Sequence, residues 1–120
     1  MLKIIEKYQD IIDDLKIIKY IQEGSLYSFR ATIIFKNKSK LVIKEYLFEN
    51  SQRKYAYHWM TKDNELIVRW DNVPHWKKIS TFPHHKHLKT TQNVHSSVEI
   101  NLDKVLGYIQ RNINKPNNND

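Results

Sequence analysis

The sequence predicts an α+β fold, an antiparallel five-stranded β-meander with N-terminal and C-terminal helices packed on one face. Three observations predict it. A stripe of apolar residues with helical spacing begins the chain, alternation with a period of two fills its middle, and a second helical stripe follows. The 120 residues suffice for one domain, so residues 1–114 are assigned to a single domain and residues 115–120 to a disordered tail.

The N-terminal segment has the apolar spacing of one helix face. Ile5, Tyr8, Ile12 and Leu15 fall on this stripe, whereas the charged residues between them fall elsewhere. We therefore expect an amphipathic helix from residue 2 to about residue 14. The period then changes to two, so "IIKYI" is expected to form the first strand, which ends at "EGS".

The second and third strands are expected to form a hairpin around the turn "KNKS". The stretch "YSFRATIIF" alternates cleanly and places five apolar residues on one face: Tyr27, Phe29, Ala31, Ile33 and Phe35. The return strand is "KLVIKEYLF". Pairing the apolar faces of these strands puts Glu45 near Ala31, and we interpret Glu45 as a strand-end charge that stays in contact with water.

The fourth and fifth strands, "KYAYHWM" and "LIVRWDN", are joined by the turn "TKDNE". A turn centred on Asp63 and Asn64 suits the conformational preferences of these residues and fixes the register. The opposed pairs are then Tyr57–Trp70 and Trp59–Val68 on an aromatic face, and His58–Arg69 and Ala56–Asp71 on a polar face. The polar face therefore gathers His58, Arg69 and Asp71.

Periodicity disappears between Asn72 and about Val94, so this segment is expected to be a long functional loop. It contains "STFPHHKH", which holds three of the six histidines of the chain. After the loop, Asn101 is expected to cap the final helix. The apolar stripe of that helix consists of Leu102, Val105, Leu106, Ile109 and Ile113.

Composition limits the classes of function. The net charge of +7 suggests a polyanionic partner, usually a nucleic acid, or an acidic protein. The chain has no cysteine, which excludes disulfide frameworks, thiolate zinc sites and cysteine nucleophiles. No apolar run approaches the ~20 residues that span a bilayer. We therefore expect a cytoplasmic protein with no membrane partner.

The histidine-rich loop is compatible with metal binding. In an extended segment His85 and His87 point the same way, so they could supply two ligands. A third ligand could come from His58, His75 or Asp71. No ligand spacing of known specificity, such as HExxH, is present, and the sequence therefore predicts no metal and no cofactor.

Acid–base catalysis on RNA is the second interpretation. RNA carries its own nucleophile, the 2′-hydroxyl group, so cleavage needs a base, an acid and a cation near the phosphate. Histidine suits the first two roles because its pKa lies near neutrality. We assign the acid–base pair to His58 and His85 and stabilisation of the phosphate to Arg69 and Lys86, with His87 as a further catalytic group.

Other residues are expected to support this site. Supporting roles are assigned to Asp71, which would orient a histidine or Arg69, and to His75, His84 and Tyr57. RNA binding is assigned to three cations and to an aromatic residue that could stack on an unpaired base: Lys54, Lys77, Lys78 and Trp76. A third interpretation is a purely structural loop, in which the histidines hydrogen-bond backbone groups that a long loop leaves unpaired.

The motifs "YAYHW", "LIVRWDNVPH" and "TFPHHKH", in this order and at these spacings, resemble the TumE family of bacterial and archaeal toxin–antitoxin proteins. The resemblance covers the chain from about Tyr20 to Leu106. The matched positions are Tyr57, His58, Trp59, Arg69, Trp70, Asp71, Asn72, Pro74, His75, Phe82, Pro83, His84, His85, Lys86 and His87. Two positions depart from the family pattern, since Trp76 replaces a frequent second histidine and "KDNE" replaces a glycine-containing turn.

The resemblance implies a toxin encoded beside a small DNA-binding antitoxin similar to TumA, and a ribonuclease activity is the commonest implication among such toxins. We therefore expect a toxin that cleaves RNA without a metal, with RNA as substrate and a TumA-like antitoxin as partner; a homodimer is compatible with this expectation. Two alternatives stay open. One is a metal-dependent nuclease acting on DNA or RNA, and the other is a non-catalytic module that binds nucleic acid or an acidic protein.

Overall fold

One antiparallel sheet organises the fold, and its seven strands lie side by side in chain order. The computed structural model describes residues 2–115. The helices are α1 (Leu2–Glu6) and α2 (Leu102–Ile113), and a short 3-10 helix spans Gln9–Ile11. The strands are β1 (Ile12–Glu23), β2 (Leu26–Phe35), β3 (Lys40–Leu47), β4 (Arg53–Met60), β5 (Leu66–Asp71), β6 (His85–Leu88) and β7 (Val94–Ser96). The tail predicted from residue 115 lies outside the described residues from residue 116 onward.

The α+β class and the antiparallel meander are confirmed, but the prediction of five strands is wrong. The segment expected to be a loop contains β6, of four residues, and β7, of three residues, begins where that loop was expected to end. A strand of this length shows too few alternations for a period of two to be recognised. The two strands extend the sheet beyond β5, with Asp71 opposite His85 and His87 opposite Val94.

The N-terminal helix is much shorter than expected. It ends at Glu6, and β1 begins at Ile12, so Ile12 and Leu15 belong to a strand and the predicted helix to about residue 14 is wrong. Strand β1 pairs with β2 from Ile12–Phe35 to Glu23–Leu26, with register shifts between Ile12 and Asp14 and between Ile17 and Lys19. This pairing satisfies backbone groups of β2 that a helix in the same segment would leave exposed at a sheet edge.

The register predicted for β4 and β5 is confirmed at all four pairs. It gives the sheet a buried face, here called the core face, and an opposite face, here called the open face. The core face carries the buried strand residues Phe29, Ala31, Ile33, Phe35, Leu41, Ile43, Tyr55, Tyr57, Trp59, Val68 and Trp70. Both helices pack against this face through Ile5, Val105, Leu106 and Ile109, as the sequence predicted.

Helix α2 begins as expected. The side-chain oxygen of Asn101 accepts a hydrogen bond from the backbone N–H of Lys104 at 2.9 Å, which caps the first turn. Its buried stripe lies on the sheet, and Tyr108 packs edge-on against Trp70 with ring centroids 5.4 Å apart. Within residues 2–115, no helix is long and apolar enough to cross a membrane.

Glu45 is buried in the core face, contrary to the expectation that it stays in contact with water. It lies opposite Phe29 rather than near Ala31, and it is 8% exposed. Its carboxylate accepts hydrogen bonds from the Tyr57 hydroxyl at 2.8 Å and from Arg53 Nε at 3.3 Å. Burial of this carboxylate is tolerated because a cation and a hydroxyl group satisfy its oxygens.

Candidate functional site

The candidate site lies on the open face, where β4, β5 and β6 run side by side. Cross-strand pairing sets His58 opposite Arg69, Arg69 opposite His87, and Asp71 opposite His85. These five side chains therefore project from the same face of three hydrogen-bonded strands. Their relative positions depend on strand register rather than on a flexible loop, which makes the cluster rigid.

Asp71 is the centre of this cluster. Its oxygen Oδ1 lies 2.9 Å from His85 Nε2 and accepts the Val73 N–H at 3.0 Å. Its oxygen Oδ2 lies 3.0 Å from Arg69 Nε and 3.5 Å from His87 Nε2. Asp71, His85 and His87 are only 3%, 2% and 7% exposed, so one buried carboxylate holds two buried imidazoles and a guanidinium.

The other ring nitrogen of each buried histidine faces a backbone carbonyl. His85 Nδ1 lies 2.9 Å from the Pro83 carbonyl oxygen, and His87 Nδ1 lies 2.8 Å from that of Thr91. A carbonyl oxygen only accepts hydrogen bonds, so both Nδ1 atoms carry the proton and both Nε2 atoms turn toward Asp71. Protein groups therefore occupy both nitrogens of His85, which leaves no free nitrogen for the acid–base role predicted for it.

The same arrangement could hold a metal ion. One ligand atom from each of Asp71, His85 and His87 lies within 4.8 Å of the other two. Of the third ligands considered from the sequence, Asp71 is the one that joins His85 and His87. His75 instead lies exposed in the loop between β5 and β6.

His58 is held as a neutral imidazole. Arg69 Nη1 lies 3.1 Å from His58 Nδ1, and because a guanidinium only donates, Nδ1 is the acceptor and Nε2 carries the proton. Burial, followed by the charges of Arg69, His87 and Lys44, lowers the pKa of His58. In this state His58 offers an N–H donor to a ligand rather than the base predicted from the sequence.

A small cavity of about 200 Å³ adjoins His58 on the open face. Its lining residues are Val42, Lys44, Ala56, His58, Met60 and Arg69. Three of them, Lys44, His58 and Arg69, present hydrogen-bond donors, which is the inventory of an anion site. Sequence analysis missed Lys44, although extending the hairpin register to β3 would have placed it opposite Ala56.

Trp76 covers the histidine pair. Its ring centroid lies 6.4 Å from that of His85 and 6.1 Å from that of His87, in edge-on geometry, and the residue is 38% exposed. The nearby loop residues Lys77 and Lys78 are exposed. Lys54 is exposed on β4, two residues from Ala56 and thus on the open face. All four residues assigned to RNA binding are therefore accessible.

The structure separates three predicted site residues from the cluster, because successive side chains of a strand point to opposite faces. Lys86 lies between His85 and His87 but on the core face, where it lines a cavity of about 710 Å³ with Lys104 and Arg111. The sequence had suggested that Lys86 and Arg69 act on the same phosphate. Because the two side chains lie on opposite faces of the sheet, they cannot do so.

Tyr57 and His84 are the other two separated residues. The Tyr57 hydroxyl bonds Glu45 in the core, and burial, with the charge of Glu45 second, raises the pKa of Tyr57. The His84 ring stacks on Tyr55 at 5.8 Å, and its Nδ1 lies 2.8 Å from the Tyr55 hydroxyl. Both residues belong to the packing of the core face.

Comparison with known proteins identifies the family. No curated protein and no solved structure matches the chain significantly. The model of the family described as toxin TumE, however, matches residues 1–113. This match contains every residue of the cluster on the open face, and it supports a toxin role with a cognate antitoxin as partner. The chain belongs to the TumE toxin family.

Proposed function

We propose that this toxin acts by binding RNA across the open face of its sheet and cleaving it at the Asp71 cluster. The observation that carries the proposal is a row of side chains in register across five strands. In strand order from β1, the row is Lys19, Arg30, Lys44, Ala56 and Asp71. Three cations thus lead across the sheet to the buried carboxylate and its histidines.

Like charges directly opposite each other destabilise a sheet, so the row Lys19–Arg30–Lys44 has a cost in the isolated protein. A phosphate chain laid along the row would neutralise the cations and relieve this repulsion. The row therefore supports a polyanion as the ligand of the open face.

The donor-lined cavity supports cleavage at one phosphate. Lys44, His58 and Arg69 surround it, and Arg69 also contacts Asp71 at 3.0 Å. Donors in this position stabilise the charge that develops on a phosphorane as the 2′-oxygen attacks phosphorus and the 5′-oxygen leaves. Activation of the 2′-hydroxyl group is assigned to the adjacent cluster of Asp71, His85 and His87.

Single-stranded RNA fits this surface better than a duplex. Trp76 is partly exposed beside the cluster, and an indole ring can stack on an unpaired base. Because His85 has no free nitrogen, the geometry favours the metal-dependent form of this reaction over the metal-independent form predicted from the sequence.

The test is cleavage of a labelled single-stranded RNA by the purified full-length chain, with and without EDTA. We expect Arg69→Ala and Lys44→Ala to lower the cleavage rate by about 10²-fold, since each removes a donor to the developing charge. The matched controls are Lys104→Ala and His95→Ala, which change a lysine and a histidine away from the open-face cluster and should cleave like wild type.

Two results would overturn the proposal. One is intact RNA after prolonged incubation with folded wild-type protein, and the other is cleavage that Arg69→Ala and Lys44→Ala leave within about threefold of wild type. Loss of cleavage in EDTA, with recovery on adding one divalent metal, would support the metal-dependent form. Cleavage that survives EDTA but is lost in Arg69→Ala would support the RNA activity and the metal-independent form.

A further inference from the structure

We propose that Asp71, His85 and His87 bind one divalent transition-metal ion of the zinc type. The inference goes beyond the proposed function, because it concerns binding by these three side chains and holds whether or not RNA is the substrate. It rests on the positions of donor atoms in the open-face cluster, on their backbone partners and on their burial.

The donor atoms converge as metal ligands do. His85 Nε2 lies 2.9 Å from one oxygen of Asp71, His87 Nε2 lies 3.5 Å from the other, and all three ligand atoms lie within 4.8 Å of one another. An ion with bonds of about 2.0–2.1 Å in tetrahedral geometry sets its ligands roughly 3.3 Å apart. The two histidine–carboxylate spacings lie on either side of this value, and the 4.8 Å limit for all three atoms means that binding would draw the side chains closer together.

The three proposed ligands are hydrogen-bonded by groups of the kind found around metal sites. Each imidazole donates its Nδ1–H to a backbone carbonyl, from Pro83 for His85 and from Thr91 for His87. Such hydrogen bonds fix the ring orientation and direct the Nε2 lone pair at the ion. The Asp71 carboxylate is oriented in the same way, by the Val73 N–H on Oδ1 and by Arg69 on Oδ2.

Burial strengthens the interaction of the cluster with a cation. Asp71, His85 and His87 are all buried, so water screens the charge of the Asp71 carboxylate poorly. One divalent ion bonded to the three atoms would replace the direct contacts between the carboxylate and the two Nε2 atoms, with release of any proton held there. Asp71, His85 and His87 would then satisfy one another through the ion.

The ligand chemistry selects the class of metal. Two imidazoles with one carboxylate suit zinc and neighbouring transition metals, whereas magnesium and calcium prefer ligand sets made of oxygen. Three protein ligands leave a fourth position of a tetrahedral ion open, which is the arrangement of catalytic rather than structural zinc sites. The neighbouring donors are Arg69, which contacts Asp71, and His58, which contacts Arg69.

The test is titration of chelator-treated full-length protein with zinc chloride in a calorimeter, together with the visible spectrum of the cobalt-loaded protein. We expect one ion per chain and cobalt bands of a four-coordinate site with nitrogen ligands. Asp71→Asn and His87→Gln, two near-isosteric changes, should each weaken zinc affinity by about 100-fold or more. Zinc should also raise the Tm of the wild type and leave that of Asp71→Asn unchanged.

The control is His95→Ala, which removes an exposed histidine and should bind zinc as the wild type does. The inference is overturned if wild-type affinity equals that of Asp71→Asn and His87→Gln, or if binding is lost in the control instead. It is equally overturned if the cobalt spectrum is that of the hydrated ion. A protein that binds zinc here but leaves RNA intact would support this inference while the proposed function fails, and cluster-dependent RNA cleavage without zinc binding would do the reverse.

Discussion

A histidine that accepts a hydrogen bond from an arginine is kept from acting as a base at that nitrogen, and His58 is in this position. Its proton sits on Nε2, toward the donor-lined cavity, because Arg69 occupies Nδ1. The cationic residues around it come from three strands, Lys44 on β3, Arg69 on β5 and His87 on β6. Burial and these charges therefore favour the neutral form of the ring.

The first consequence is a low pKa for His58. In an NMR titration of the histidine ring protons, His58 should titrate below the usual histidine pKa, because burial and three neighbouring charges disfavour its protonated form. Arg69→Gln should raise the pKa of His58, whereas Lys104→Gln, far from the ring, should leave it unchanged. A His58 that titrates at or above the usual value would contradict this reading of the geometry.

The lowered pKa of His58 also makes the free energy of unfolding depend on pH. Since the folded-state pKa of His58 is lowered, the unfolded chain binds its proton more readily, and the contribution of His58 to the free energy of unfolding falls as pH drops below the usual histidine pKa. His58→Gln should therefore lose less stability than the wild type between about pH 7 and pH 5. Denaturant unfolding at the two pH values measures the difference.

The sequence predicted which residues lie together wherever it showed which face of a strand each side chain occupies. The β4–β5 register placed His58, Arg69 and Asp71 together from the sequence alone, and the structure agrees. Lys86 was grouped with them because its segment was taken for a loop, where side chains do not alternate between two faces. Once that segment is a strand, Lys86 must point away from its histidine neighbours.

Among the secondary-structure elements, strand β6 is one that the sequence pattern did not predict. Its residues, "HKHL", carry two buried histidines on the open face in place of the apolar residues that would signal a strand. The histidines are buried because Asp71 and two carbonyl groups satisfy them, which no periodicity rule detects. The N-terminal helix was overextended for the opposite reason, since apolar residues with helical spacing continue into β1.

Helix α2 was predictable because its signals are local, and its cap makes a specific prediction. Asn101→Ala removes the acceptor of the Lys104 N–H and should lower the free energy of unfolding by about 1 kcal/mol. The matched control is Asn112→Ala, an exposed position within α2, where alanine has the higher helix propensity and should be neutral or stabilising. Equal effects of the two substitutions would show that the cap does not contribute.

At the scale of the whole molecule, the two faces of the sheet differ in composition. The core face holds both helices and the aromatic residues that stabilise the fold. The open face holds the cation row and the Asp71 cluster. The net charge of +7 was readable from the sequence, but its concentration into a row required the pairing of five strands.

This division predicts the salt dependence of RNA binding. If phosphates lie along the row, Lys19→Gln and Lys44→Gln should each reduce the slope of log affinity against log salt concentration by about 0.7 for single-stranded RNA. Lys104→Gln removes an equal charge from α2, on the other side of the sheet, and should leave the slope unchanged. Fluorescence anisotropy in EDTA, which prevents metal-dependent cleavage, measures the three slopes; equal slopes in all variants would place RNA elsewhere.

The two faces of the sheet also have a consequence for evolution. Residues of the cation row, such as Lys19 and Lys44, are exposed and take no part in the core. Substitutions at these exposed positions leave the core face unchanged, whereas substitutions of the buried residues Asp71, His85 and His87 would disturb packing as well. If the open face binds the target, as we propose, its specificity can change at the exposed positions with little change in the free energy of unfolding.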